Sequence, residues 1–193
     1  MKSRIKSIIK SSVENHARGL NDSNLQINIE RLVTNSIEAF KNNKKILFCG
    51  NGGSASDAQH IASELSGRFY KDRPPLYAEA LHVNSSYMTA VANDYGYEET
   101  YARMVEASGR KGDVLVGIST SGNSPNVVKA MLNAKEIGML TVGFTGNKGG
   151  KMKEICEIMI QVPSNDTPRI QEVHILVGHI ICQLIEEEMF PNA

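Results

Sequence analysis

Long apolar runs, blocks of like charge and a cysteine framework are all missing from this 193-residue sequence. No stretch approaches the ~18 consecutive apolar residues of a membrane span. The opening MKSRIKSIIKSS has too short an apolar run and too many lysines for a secretion leader, so none is expected. The 21 basic and 21 acidic residues cancel without forming a basic stripe, which argues against nucleic-acid or membrane-surface binding. Only three cysteines occur, Cys49, Cys156 and Cys182, each within an apolar run. That number and spacing suit reduced thiols in a cytoplasm, not disulfides. There is no internal repeat and no low-complexity segment.

What is present is an ordinary globular composition, 41% hydrophobic and 22% charged, in a chain long enough to bury a core without disulfides or a structural metal. Two apolar stripes of helical period come first. Ile5, Ile8, Ile9 and Val13 form one, and Leu25, Ile29, Leu32, Val33, Ile37 and Phe40 the other. Gly19 and Asn21-Asp22 separate them, with Asp22 or Ser23 available to cap the second helix. Two helices cannot bury both stripes on each other, so the main domain or another subunit must cover them.

From residue 44 short apolar runs alternate with helical segments. Strands are predicted at 44–50, 76–81 (the weakest), 113–119, 139–145 and 155–162. Helices are predicted at 54–67, 85–92, 97–108, 125–137 and 168–188. Such alternation implies a mostly parallel sheet covered on both faces. Ligands of such sheets sit beyond the carboxyl ends of the strands, and there the sequence is most distinctive.

The first distinctive loop is Gly50-Asn51-Gly52-Gly53-Ser54-Ala55-Ser56. Its glycines allow a tight turn and close backbone approach to a ligand, and the helix after it offers free N–H groups to an anion. Ser54 is able to act as N-cap or as a ligand donor. The loop is neither a Walker A motif nor a G-x-G-x-x-G fingerprint, and alone it reads equally well as a plain strand-to-helix turn. The second is Ser119-Thr120-Ser121-Gly122-Asn123-Ser124-Pro125. Its four hydroxyls, with Pro125 suited to a first helical turn, make a neutral anion cradle without lysine. Two small-residue helix starts at two strand ends suggest one small phosphorylated ligand spanning both.

The segments FCGNGGSASDAQHIASEL, VANDYGYEETYARMV, VGISTSGNSPNVVKAM and RIQEVHILVGHIICQLIE, in that order, resemble the phosphoheptose isomerase family of the sugar isomerase (SIS) superfamily. The resemblance runs from about residue 25 to 189. It implies a three-layer αβα sandwich with a flavodoxin-like parallel sheet: a SIS domain over 43–193, with 1–42 as a helical arm of the same domain making oligomer contacts. It further implies a homotetramer with active sites between subunits, one zinc ion per site, and conversion of sedoheptulose 7-phosphate to D-glycero-D-manno-heptose 7-phosphate, the first step of nucleotide-activated heptose biosynthesis. By motif match Asn51, Gly52, Gly53 and Ser54, with Ser119, Thr120, Ser121 and Ser124, would hold the substrate and its phosphate. Asn93 and Asp94 would line the sugar. His60, Glu64, Gln171 and His179 would bind zinc, with Glu64 and Gln171 also touching substrate and Glu64 and His179 the proton-transfer pair. Thr167-Pro168 stands where some relatives carry an acidic residue beside the arginine, so Asp166 is left outside the site.

The residues themselves bear on these roles. His60 and Glu64 are four apart and share a helix face about 40° wide, away from the stripe Ala58, Ile61, Ala62 and Leu65. Such a pair can chelate a metal or be an inconsequential exposed pair. On the last helix, Gln171 and His179 differ by about 80° and ~12 Å, which is wide for one metal, and His174 lies about 140° from His179, so those two should not share a site. Asn93-Asp94-Tyr95-Gly96 is by itself a turn signal. Arg68 and Asp57 read as a surface arginine and a helix-start carboxylate. A rival reading keeps the fold but not the chemistry: a non-catalytic SIS module that binds a partner protein or senses a sugar phosphate. The Glu64/His179 pair together with His60 favours the enzyme.

Overall fold

The computed structural model describes residues 1–193. Two helices lead, α1 (Lys2–Leu20) and α2 (Ser23–Lys41), followed by β1 (Ile46–Gly50), α3 (Gly53–Ser66), β2 (Ala78–Ala80), α4 (Ser85–Asp94), α5 (Thr100–Ser108), β3 (Val114–Ile118), α6 (Pro125–Ile137), β4 (Leu140–Thr145), β5 (Ile158–Gln161) and α7 (Thr167–Met189). All five strands are parallel, in the order β2-β1-β3-β4-β5. This is the flavodoxin-like order, with helices on both faces. Strands β1 and β3 are buried at every position, as a doubly covered sheet requires. One face packs against α2, α3 and α7 through Ile46, Phe48, Val116 and Phe144, among others; the other packs Leu47, Cys49 and Leu115 against α5 and α6.

The predicted elements differ from the observed ones at three places. The 76–81 strand shortens to three residues at the sheet edge, where it has one neighbour. The 97–108 helix splits, because Gly96 at φ +96 starts a 3-10 turn over Tyr97–Glu99 before α5 begins. The 155–162 strand starts late, since the 3-10 turn Gly150–Glu154 runs on as Cys156 N donates to Met152 O.

Asp22 caps α2, its carboxylate accepting from the amides of Asn24 and Leu25. The α2 stripe enters the core with Leu25, Ile29, Leu32, Val33 and Phe40. The α1 stripe does not. Ile5, Ile8, Ile9 and Val13 remain exposed, while α1 docks on α7 along the adjoining edge of the helix, through Ser12 to Glu172, the buried Asn15 to Arg169 O, and Arg169 to Ile8 O. No helix is long and apolar enough to cross a membrane.

Candidate active site

Between β1 and β3 the chain order reverses: β1 is followed by β2 on one side and adjoined by β3 on the other. In open α/β sheets the crevice at such a point receives the ligand. Both distinctive loops open there, one after β1 and one after β3.

In the first loop Gly52, at φ +57, is the N-cap of α3. Ser54 is therefore not the cap; it lies buried in the first turn. The positive φ is what makes glycine suit position 52. A side chain at Gly50 would lie 2.6 Å from Ser54 O, and one at Gly53 2.6 Å from Gln171 Nε2. The loop is thus threaded through a space only backbone can fill, and Gln171 of α7 lies directly on it.

In the second loop Ser119 Oγ is 2.9 Å from Ser124 Oγ and 3.4 Å from Ser121 Oγ. Ser124 is the N-cap of α6, with Pro125 behind it, yet makes no side-chain cap bond. Three hydroxyl rotors and a helix N-terminus thus converge without committed partners among the α6 amides, as anion binding requires. Thr120 is half-buried beside them, and its carbonyl accepts from Gly146 N. Gly122 fixes the loop: at φ +66, a Cβ would sit 2.0 Å from Gly149 O.

The two loops are joined through Asn51, a predicted site residue, by three that sequence reasoning missed: Asn126, Tyr97 and Tyr101. Asn51 and Asn126 form a reciprocal amide pair, each Nδ2 donating to the other's Oδ1 at 2.9 Å. Asn51 Oδ1 also accepts from Tyr97 Oη at 3.0 Å, and Tyr101 Oη donates to Gly50 O at 2.5 Å. Their only sequence signal is closeness to the motifs: Asn126 follows Pro125, and Tyr97 follows the Asn93-to-Gly96 turn. Asn93 and Asp94 end α4 exposed, bonded to each other at 2.8 Å.

His60, Glu64 and His179 come together. His60 Nε2 is 3.0 Å from Glu64 Oε1 and 3.5 Å from His179 Nε2. Gly178 makes this possible: a Cβ there would lie 2.5 Å from Ile61 Cδ1, so α7 crosses α3 at close range. Gln171 sits two turns earlier on α7, at Gly53. His174 lies in the core, as the angular argument requires, its Nε2 bonded to Thr145 O and its ring against Phe144. Asp57, one turn before His60, is half-buried with Oδ2 unpartnered. Burial raises its carboxyl to about 6, with His60 pulling the other way. Arg68 is exposed beyond the end of α3, and Asp166, at the N-cap of α7, makes no side-chain cap bond.

The donor chemistry suits a divalent metal such as zinc: two imidazoles, a carboxylate and, on the same helix pair, an amide. Two nitrogens at zinc-bond length in a tetrahedral shell would lie roughly 3.4 Å apart, close to the 3.5 Å between His60 and His179. As the side chains stand, no three His, Cys, Asp or Glu groups form a ready-made cage. His60 and Glu64 are bonded to each other, and holding a metal requires Glu64 to turn from that bond.

The family profile described as SIS domain matches residues 12–146. The chain is 52% identical to a phosphoheptose isomerase of Aneurinibacillus thermoaerophilus over 192 residues, 100% of this chain and 97% of the relative. It is similar to the solved structure of phosphoheptose isomerase GmhA from Neisseria gonorrhoeae, with a TM-score of 0.90 and 39% identity, covering 96% of this chain and 98% of that one. A phosphoheptose isomerase from Francisella tularensis gives 0.92 and 34%, covering 96% and 97%.

Proposed function

The chain belongs to the phosphoheptose isomerases of the SIS-domain family, and on that premise we propose how its residues divide the work. The reaction is an aldose–ketose isomerisation, sedoheptulose 7-phosphate to D-glycero-D-manno-heptose 7-phosphate, in heptose biosynthesis. The observation that carries the assignment of roles is the convergence of Glu64, His60 and His179 at the α3–α7 crossing, on the two elements that also carry the Gly-loop and Gln171.

The phosphate is held by the Ser119, Thr120, Ser121 and Ser124 loop and by the Gly-loop from Asn51 through Gly52 and Gly53 to Ser54, whose amide donates to Asn51 O. Asn93, Asp94 and Gln171 face the sugar. Glu64 takes a proton from C1 of the ketose while the C2 oxygen gains one, giving a C1–C2 enediol. Returning a proton to C2 and releasing the one on O1 gives the aldose. No net electron leaves the substrate, so no redox partner is needed. His179 carries the proton between the two oxygens, a role open to an imidazole because it both donates and accepts near neutral pH. His60, Glu64, Gln171 and His179 would hold a zinc ion, which when bound supplies Lewis-acid polarisation of the carbonyl. Glu64 serves as base, and His179 as proton carrier, only where their hold on the metal is loose.

A homotetramer fits the exposed α1 stripe. It also fits an apolar cleft of about 690 Å³ that includes Leu20, Ile29, Val33, Leu176, Val177 and Leu184. The free cysteines suit a reducing cytoplasm.

The test is to incubate the purified protein with sedoheptulose 7-phosphate, with and without a chelator, and to follow the aldose C1 proton by NMR. Conversion is expected, with loss of rate on chelation. Glu64→Gln should lower kcat by at least ~10²-fold and leave substrate binding, read by calorimetry, within a few-fold. Full activity in that variant would remove Glu64 from the role of base.

A further inference from the structure

Three chain segments meet at one atom. Asn51 Oδ1 accepts from Asn126 Nδ2 at 2.9 Å and from Tyr97 Oη at 3.0 Å, while Asn51 Nδ2 donates back to Asn126 Oδ1 at 2.9 Å. Asn51 belongs to the loop after β1, Asn126 to the start of α6 after the Ser-loop, and Tyr97 to the turn after Asn93 and Asp94. Both lone pairs of Oδ1 are used and one of two Nδ2 hydrogens is spent. The Asn51 side chain is therefore a fastener, with little capacity left for a ligand.

The surroundings support a fastening role. Asn126 is 2% exposed, so its amide has no water to fall back on, and its Oδ1 also accepts from Val127 N. Tyr101 holds the carbonyl of the adjacent Gly50. Lys129 of α6 bonds both Glu98 and Glu99, tethering the Tyr97 segment to the helix that carries Asn126. Tyr97 itself is 54% exposed at the rim, so its hydroxyl is the one arm that can be removed without opening the core.

We infer that Tyr97 and Asn126 are positioning residues for the reaction, acting through Asn51. They lock the Gly-loop to the Ser-loop so that both present their donors to one phosphate, and they join that phosphate site to the sugar-facing turn. The inference rests on the phosphate-site reading above. Donors on two separate loops bind one anion well only if their spacing is fixed beforehand, since otherwise part of the binding free energy is lost in ordering them.

The experiment is a double-mutant cycle read by KM, kcat and the inhibition constant of inorganic phosphate. Tyr97→Phe deletes one hydrogen bond; KM and the phosphate constant should rise together by about two- to tenfold, with a smaller change in kcat. Asn126→Ala deletes both bonds to Asn51, together with the local one from Val127 N, and should raise both further. In an Asn51→Ala background Tyr97→Phe should cost nothing more, because the group it acts through is gone. A purely structural role predicts a lower Tm with an unchanged phosphate constant, and that result overturns the proposal, as does a Tyr97→Phe cost that persists without Asn51. A wild-type enzyme that binds phosphate alongside a Tyr97→Phe enzyme that binds it equally overturns this proposal alone. A wild type that neither binds phosphate nor converts the heptose phosphate overturns the functional reading and this inference with it.

Discussion

Two histidines five residues apart on α7 have opposite surroundings. His179 is half-buried beside His60 where α3 and α7 cross, whereas His174 is fully buried and burial pushes its imidazole down to about 4, outweighing the bond to Thr145. Between that value and an ordinary histidine near 6.5 the unfolded chain binds a proton that the native chain does not. His174 therefore costs no stability above about pH 6.5, and stability falls as pH drops toward about 4, by at most ~3 kcal/mol. His174→Gln keeps a donor for Thr145 O and should flatten this part of the profile. Urea midpoints at pH 7 and pH 5, wild type against variant, measure the difference; an equal drop in both would mean His174 titrates normally.

The elements that carry the site are held by contacts outside it. After α3 the chain turns through residues 67–74, and this turn is tied to α7 by one carboxylate. Glu186 is 2% exposed and accepts from the amides of Phe69, Tyr70 and Lys71 and from Arg73 Nε at 3.0 Å. Burial by itself would raise this carboxyl, but the amides of Lys71, Phe69 and Tyr70 and the Arg73 guanidinium outweigh it and hold it below the usual range. Arg73 in turn donates to the carbonyls of Glu64 and Leu65, fixing the last turn of α3 just where Glu64 sits. Glu186→Gln leaves Arg73 buried opposite a neutral amide and should destabilise by about 3–5 kcal/mol. Chemical denaturation reads the loss. Activity under native conditions should fall with it, since the Glu64 backbone loses its anchor.

At the scale of the molecule, the exposed stripe of α1 is the feature the single chain leaves unburied. Ile8, Ile9 and Val13 are 51%, 59% and 61% exposed; Ile8 borders the contacts with α7, its carbonyl accepting from Arg169, and Ile9 and Val13 lie further round the helix. If the proposed tetramer assembles through this stripe, an Ile9→Glu, Val13→Glu double variant should keep its circular dichroism while shifting the mass by light scattering from about four times the 21.1 kDa chain mass to a smaller species. Activity should fall with assembly if sites lie between subunits. A tetramer unchanged by both charges would place the interface elsewhere, with the α7 side of the apolar cleft the next surface to vary.

The alternation of buried runs with helical periods was enough, from sequence, to specify the parallel three-layer sandwich, because strands buried on both faces and amphipathic helices leave few other arrangements. The two loops were legible because glycine and hydroxyl residues crowd strand ends; the four-residue spacing placed His60 and Glu64 on one helix face, and the family resemblance made them site residues. Their proximity to His179 was legible only through the family resemblance, not from periodicity or spacing. It arises from the close crossing of α3 and α7 at Gly178, a contact 119 residues apart in the chain. Asn126 and Tyr97 were not legible: their side chains carry no periodic or compositional mark and acquire a role only when the sheet order brings three loops to one crevice. Local physics fixes what a segment becomes and which of its faces is polar. Which polar faces meet depends on long-range packing, and at this site that packing assembled the parts.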